Sequence, residues 1–179
     1  MKRHHARKSI ISTASRLFYK QGYSNTGINQ IIDEAGIAKS TLYEHFKSKE
    51  DLLMAYLHET GEEIINTLND QSKNGITVTD KLLAIFDYLE ELVVRTDFYG
   101  CHFLNIVYEM PDGHEQIHVQ IKAQKDAVRA FFSGIVESQG GPFLADEIYT
   151  LFEGALIAHK VHQAPWPIAA AKNVIRKLI

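Results

Sequence analysis

Thr26–Phe46 reads TGINQIIDEAGIAKSTLYEHF, and the fold turns on how this stretch is read. Ile28, Ile31, Ile32 and Ala35 recur at helical spacing and share one side of a short helix. Gly36 stands where a helix ends in a left-handed residue, a conformation glycine adopts without strain. Ile37 can then fold back onto that helix. A second helix is expected roughly from Lys39 to His45, with Leu42 and Phe46, four apart, marking its inward side.

The outward side of the second helix points to function. Lys39, Ser40, Thr41, Tyr43, Glu44 and His45 crowd into under two turns. A helix used only for packing has no need of so many short donors at its start. A helix that enters the DNA major groove needs cations and hydroxyls for phosphates and base edges. Spacing alone leaves the plainer alternative open: a solvated helix pair with a polar rim.

The identities of the residues go further. Gly36-Ile37-Ala38-Lys39-Ser40-Thr41-Leu42-Tyr43-Glu44-His45-Phe46-Lys47-Ser48-Lys49-Glu50-Asp51-Leu52-Leu53 resembles the DNA-binding domain of TetR-family transcriptional regulators, as do Leu17-Phe18, Gly22-Tyr23 and Thr26 upstream. Gly27 stands where the family often has Ser or Thr, and Ile32 where many members have Ala. The resemblance covers the first third of the chain in detail. It implies an all-α protein: an N-terminal three-helix helix-turn-helix DNA-binding domain, residues 1–55, and a C-terminal helical bundle for ligand binding and dimerisation, residues 56–179. It also implies that Thr26, Gly27, Lys39, Ser40, Thr41, Tyr43, His45 and Lys49 face double-stranded DNA. Glu44 is expected to point away from phosphates.

Charge distribution agrees with that division. The net charge of −3 argues against nucleic acid when taken over the whole chain. Residues 1–50 hold nine Lys/Arg against four Asp/Glu, and the remainder ten against eighteen. A basic end therefore sits on an acidic body. Cys101 is the single cysteine, which excludes an internal disulfide and a CxxC site. A cytoplasmic setting fits. No apolar run of signal-peptide or membrane-spanning length is found, and no membrane partner is expected.

Taken in order, Lys2, Arg3, Arg7 and Lys8 form a basic arm, read equally as a solvated terminus or as phosphate and minor-groove contacts. The first helix is expected from Ala6 to Gln21, stopped by Gly22, with Tyr23 packed beneath the helix pair. Thr26 is expected to cap the next helix through its hydroxyl, while the resemblance adds a phosphate contact. Ser48 caps a long helix that runs to about Asn69, with Glu50 and Asp51 at its positive end. Lys49 is the odd charge there, which a phosphate anchor or a solvated lysine would explain. Asn69–Gly75 reads as a loop, and the domain boundary is placed near Tyr56. Further helices are expected over Thr79–Arg95, Cys101–Met110, His114–Ser138 and Phe143–Gln163, then after Pro165-Trp166-Pro167. Pro111-Asp112-Gly113 and Gly140-Gly141-Pro142 separate them. No alternating strand pattern competes.

The last two helices look like a dimerisation pair, with Leu151, Gly154, Ala155, Ile157 and Ala158 on one face; monomer core is the alternative. A homodimer suits a palindromic operator, which needs two heads about a helical turn apart or a multiple of it. Phe86, Tyr88, Cys101, Asn105, Tyr108, Phe131 and Phe152 are candidates to line a small-molecule pocket, although each taken singly reads more readily as plain core. His102, His114, His118, His159 and His162 invite a metal site, and His114/His118 and His159/His162 have helical ligand spacing, but no cysteine or carboxylate signature completes it; surface histidines are the reading taken. No cofactor and no catalytic group is expected. The function implied is a repressor released from its operator by a small-molecule effector. Two other classes stay in view: a DNA-bound adaptor acting through protein partners, and a helical enzyme, for which no nucleophile–base pair is seen.

Overall fold

The computed structural model describes residues 2–110, 113–139 and 141–179, with backbone only at 2, 3, 141 and 142. Pro111 and Asp112 of the first expected turn, Gly140 of the second, and the side chains of Lys2, Arg3 and Pro142 lie outside the described residues. Nine helices and no strand are found among them. They are α1 (Lys2–Gln21), α2 (Ile28–Ala35), α3 (Lys39–His45), α4 (Lys49–Ser72), α5 (Val78–Val93), α6 (His102–Glu109), α7 (Glu115–Val136), α8 (Gly141–His162) and α9 (Trp166–Leu178).

The chain forms two compact units. The first comprises Met1–Gly61 and His102–Ile121, the second Glu62–Cys101 and Lys122–Ile179. The helices α4 and α7 each begin in the first and end in the second.

The first unit is built on the apolar stripe of α1. Ile10, Ala14, Leu17 and Phe18 are all buried, as their spacing along one helix face requires. Ile31 and Ile32 of α2, Leu42 of α3 and Leu52, Leu53 and Tyr56 of α4 complete this core with Phe103 and Ile106 of α6. The turn between α2 and α3 forms as its glycine demands. Gly36 takes φ +64°, its N–H reaches the Asp33 carbonyl, and the N–H of Ile37 reaches Ile32 at 3.2 Å. These two bonds satisfy carbonyls that the end of α2 would otherwise leave without partners. Ser48 behaves as expected at the next start, its hydroxyl accepting the Asp51 N–H at 2.9 Å.

Three local expectations are corrected. Residues 2–8 are not a separate arm: α1 begins at Lys2, since no glycine or proline interrupts the helix before Ala6. Arg7 is exposed but engaged by this unit, 3.2 Å from Glu59 and with its guanidinium 5.6 Å from the centre of the Phe46 ring. The helix α4 runs past Asn69 to Ser72. Thr26 does not cap α2. The N-cap is Gly27, with no side-chain bond, and the Thr26 hydroxyl donates backwards to the Gly22 carbonyl at 2.7 Å.

The second unit packs α5, α8 and α9 with the ends of α4 and α7. Its core includes Leu82, Phe86, Phe132, Ile148, Phe152 and Ile168. The start of α5 carries a full capping box: the Thr77 hydroxyl accepts the Asp80 N–H, and the Asp80 carboxylate accepts the Thr77 N–H, both at 3.1 Å. Lys172 of α9 ties to Glu90 of α5 at 2.8 Å. His159 differs from its expected surface role. It is buried, and Nδ1 lies 2.9 Å from the Ala164 carbonyl, so it closes the turn between α8 and α9. No helix among the described residues is long and apolar enough to cross a membrane.

Candidate nucleic-acid interface

Burial of Leu42 and Phe46 fixes the rotation of α3 and so decides which of its side chains face outward. Lys39, Ser40, Tyr43 and Glu44 are exposed, while Thr41 and His45 are half-buried at the edges. Lys39, Ser40, Thr41, Tyr43 and His45 make no side-chain hydrogen bond or ion pair among the described residues. The N-cap of α3 is Ala38, which offers no side-chain acceptor to the helix start. Cation, hydroxyl and phenol thus stand together on one short helix without internal partners.

The helix that supports α3 is held from the side. Gln21 of α1 donates to Gln30 of α2 at 2.9 Å, Gln30 donates to Glu34 at 2.9 Å, and Glu34 pairs with Arg16. The two glutamines are half-buried and the Arg16–Glu34 pair is exposed, so the pair adds little stability and the network serves to fix the α1–α2 angle. The Arg16 guanidinium and the Gln30 amide hold the Glu34 carboxyl below its usual range.

Two further expected contacts are already engaged. Thr26 is 1% exposed and its hydroxyl points to Gly22, so that hydroxyl faces inward. Gly27 is exposed beside it, at the N-cap of α2. Lys49 donates to the Tyr23 carbonyl at 2.6 Å and its ammonium lies 4.0 Å from the centre of the Tyr23 ring. Partial burial lowers the Lys49 pKa, against the pull of the nearby Glu109 carboxylate. Tyr23 packs on Phe18, ring centres 5.2 Å apart, and burial raises its phenol pKa with help from Glu50.

Two residues of α6 depart from the sequence reading: His102 is not the surface histidine expected, and Glu109 was not singled out. His102 stacks on Tyr19 with ring centres 3.6 Å apart, and its Nδ1 lies 2.6 Å from the Tyr56 hydroxyl. Burial pushes its pKa down to about 4, so the ring is neutral near pH 7. Glu109, at the other end of the same helix, accepts the backbone N–H groups of Tyr23 at 3.2 Å and Ser24 at 2.7 Å. Nothing local in the chain announces either contact, because the partners are 46 and more positions away.

The expected pocket residues divide between the two units. Asn105 and Tyr108 lie on α6 in the first unit, and Tyr108 is 78% exposed. Burial of Phe103, Ile106 and Met110 at spacings of three and four turns Tyr108 outward, a pattern readable from the sequence. Phe86 and Phe152 of the second unit meet edge to face, 5.9 Å apart, and both are buried core. Phe131 packs on Phe132 at 5.5 Å. Cys101 is half-buried, and Lys125 donates to its Sγ at 3.2 Å and to Glu153 at 2.6 Å. Separately, an open groove of about 420 Å³ lies between α7 and α8, lined by Asp126, Arg129, Ser133, Glu137 and Asp146 among others.

With that geometry in hand, residues 10–56 match the family described as bacterial regulatory proteins, tetR family. The N-terminal domain is a TetR-family domain. Helix-turn-helix regulators of this family are also what the rest of the chain is similar to. The transcriptional regulator LmrA of Bacillus subtilis is 41% identical over 88 residues, 49% of this chain and 45% of that one. The transcriptional activator FasR of Mycolicibacterium smegmatis is 29% identical over 126 residues, 68% and 56% respectively. The chain therefore spans about half the length of the curated relatives it matches. The crystal structure of a TetR-family regulator from Streptomyces coelicolor is 25% identical, with a TM-score of 0.87 over 97% of this chain and 93% of that one. In the TetR-family reading, α2 and α3 are the helix-turn-helix pair and α1 its support.

Proposed function

We infer that the protein is a sequence-specific DNA-binding transcriptional regulator that works as a homodimer on a palindromic operator. The observation that carries this is the outward face of α3. Lys39, Ser40 and Tyr43 are exposed, share one short helix and have no side-chain partner among the described residues. Donors arranged in this way match what phosphates and base edges accept. Thr41 and His45 flank them. Gly27 adds backbone at the exposed start of α2, and Lys49 keeps two N–H donors for a phosphate beyond its bond to Tyr23.

The second copy would be met by α8 and α9. Gly154, Ile157 and Val161 lie exposed along α8, and Trp166, Ala170, Val174 and Leu178 lie exposed four apart along α9. Ala155, which the sequence placed on that face, is instead monomer core. An apolar stripe on each of two adjacent helices suits a two-fold interface.

Repression relieved by a small molecule is the regulatory mode proposed. An effector acts by favouring one arrangement of the two heads, so operator affinity falls by its differential binding to the two arrangements. The half-buried Cys101, Lys125 and Glu153 give the second unit a polar point at which such a ligand can be recognised.

Selection of bound duplexes from a random DNA pool tests the reading. Enrichment of one palindromic sequence, bound by two chains, is the expected outcome. A pool that stays unenriched at low salt overturns it.

A further inference from the structure

We propose that Glu109 is a positioning residue for the DNA-facing helix pair: its carboxylate holds the turn between α1 and α2, and with it the start of α2, in register with α6. The proposal rests on the DNA-binding reading above.

One carboxylate grips two successive peptide groups. Its Oε1 accepts the Tyr23 N–H at 3.2 Å and its Oε2 the Ser24 N–H at 2.7 Å. The turn is shaped to receive it. Gly22 takes φ +94°, and a Cβ added there would come within 2.8 Å of Oε1. Any other residue would meet both a strained backbone and the carboxylate itself. The opposite polar side of the same turn is held as well. The Tyr23 carbonyl accepts Lys49 Nζ at 2.6 Å and the Thr26 N–H at 3.1 Å, and the Gly22 carbonyl accepts the Thr26 hydroxyl. Charged side chains from α4 and α6 therefore hold Tyr23 from two sides, and hydrogen bonds to ionised groups are the stronger kind.

This grip reaches the candidate interface within three residues. Gly27, the N-cap of α2, stands three residues after Ser24, and the glycine turn at the end of α2 leads into α3. At its other end α6 is fixed by His102 against Tyr19 and Tyr56. A helix of eight residues is thus fastened at its first residue to α1 and α4 and at its last to the turn before α2. Its placement sets where α2 begins.

The test uses the full-length protein labelled with ¹⁵N, as wild type, E109A, E109Q and E109D, with the duplex recovered from the random pool. Glutamine keeps the size but only one acceptor oxygen; aspartate keeps both oxygens but withdraws them by one methylene. In E109A and E109Q the Tyr23 and Ser24 amides should exchange faster and the Ile28, Asn29 and Gln30 amides should shift. Operator Kd should rise about tenfold, the size expected for losing a charge-assisted hydrogen bond, with helicity and sedimentation unchanged. E109D should recover part of this. G22A should weaken binding more in the wild type than in E109A, because part of its clash is with the carboxylate that E109A removes. Faster exchange at Tyr23 and Ser24 with α2 amides and Kd unmoved would overturn the proposal, leaving Glu109 as a loop fastener only. A wild type that enriches no duplex would sink the DNA-binding reading instead; the amide shifts in α2 would still decide the role of Glu109.

Discussion

The starts of α3 and α5 solve the same problem in opposite ways. Thr77 and Asp80 close a reciprocal capping box at α5, so the polar groups there are taken up by the fold. At α3 the N-cap is Ala38, and the side chains of Lys39, Ser40 and Thr41 have no partner among the described residues. Helix α5 is held by the capping box at its start and by its core face. Helix α3, at seven residues, is too short to be stable alone and is kept helical by Leu42 and Phe46 beneath it. The contrast teaches where to look for function: polar groups that the fold engages set stability, and those it leaves open are available to something outside the chain.

The sharpest break on the engaged side concerns His102. Its folded pKa of about 4 lies below the ordinary value of 6.5 because burial disfavours the charged ring. Between those two values the unfolded chain binds a proton that the folded chain refuses. Stability is therefore complete above pH 6.5, falls as pH drops towards 4, and levels off below. The full loss is about 3 kcal/mol, from roughly 1.4 kcal/mol per pH unit. Denaturant melts from pH 7 to pH 4 check it against H102F, which keeps a ring on Tyr19 and should lack this part of the slope. Equal slopes in the two proteins would refute the assignment.

The apolar face of α9 is open in the same sense as α3, but to a different partner. V174D together with L178D should convert a dimer to monomer by sedimentation while leaving the monomer folded, since both side chains are exposed. Operator affinity should then fall about 100-fold through lost avidity. Loss of folding in place of dissociation would show that the face serves the monomer.

On α3 itself the comparison predicts a clean separation. K39A should weaken operator binding about tenfold, within the usual range for one base or phosphate contact, and should leave the melting temperature unchanged. Y43A should behave alike with a smaller loss. A change in melting temperature without a change in affinity would place both residues with Thr77 on the structural side.

How far the chain announced this arrangement follows from the reach of each interaction. The α2–turn–α3 unit was legible because its causes are local: apolar spacing, a left-handed glycine and a Ser48 cap. The α6 face was legible too, through Phe103, Ile106 and Met110, and it would have turned Tyr108 outward had it been used. The Thr26 hydroxyl was misread because capping and a backward bond to Gly22 call for the same residue type. Lys49 reads as an open cation until Tyr23 is seen beneath it. The grip of Glu109 on a turn some 85 positions earlier has no local signature, since only tertiary packing brings the two together.

The smallest effect is the most direct test of the comparison. T77A removes the hydroxyl that accepts the Asp80 N–H, while the Asp80 carboxylate keeps its bond from the backbone N–H of residue 77. A cap of this kind contributes about 1 kcal/mol, so a fall in stability of that size is expected in denaturant melts. The Asp80 carboxyl is held below its usual range chiefly by its bond to the Thr77 backbone and then by the hydroxyl, so its pKa should rise when the hydroxyl goes. Operator affinity, referred to folded protein, should not change. A38S is the mirror experiment: a hydroxyl at the N-cap of α3, where the backbone is already extended, should add stability where T77A removes it. If A38S stabilises the protein yet weakens operator binding, the bare start of α3 is kept open for DNA; if it stabilises and binds equally well, the missing cap is only an accident of the sequence.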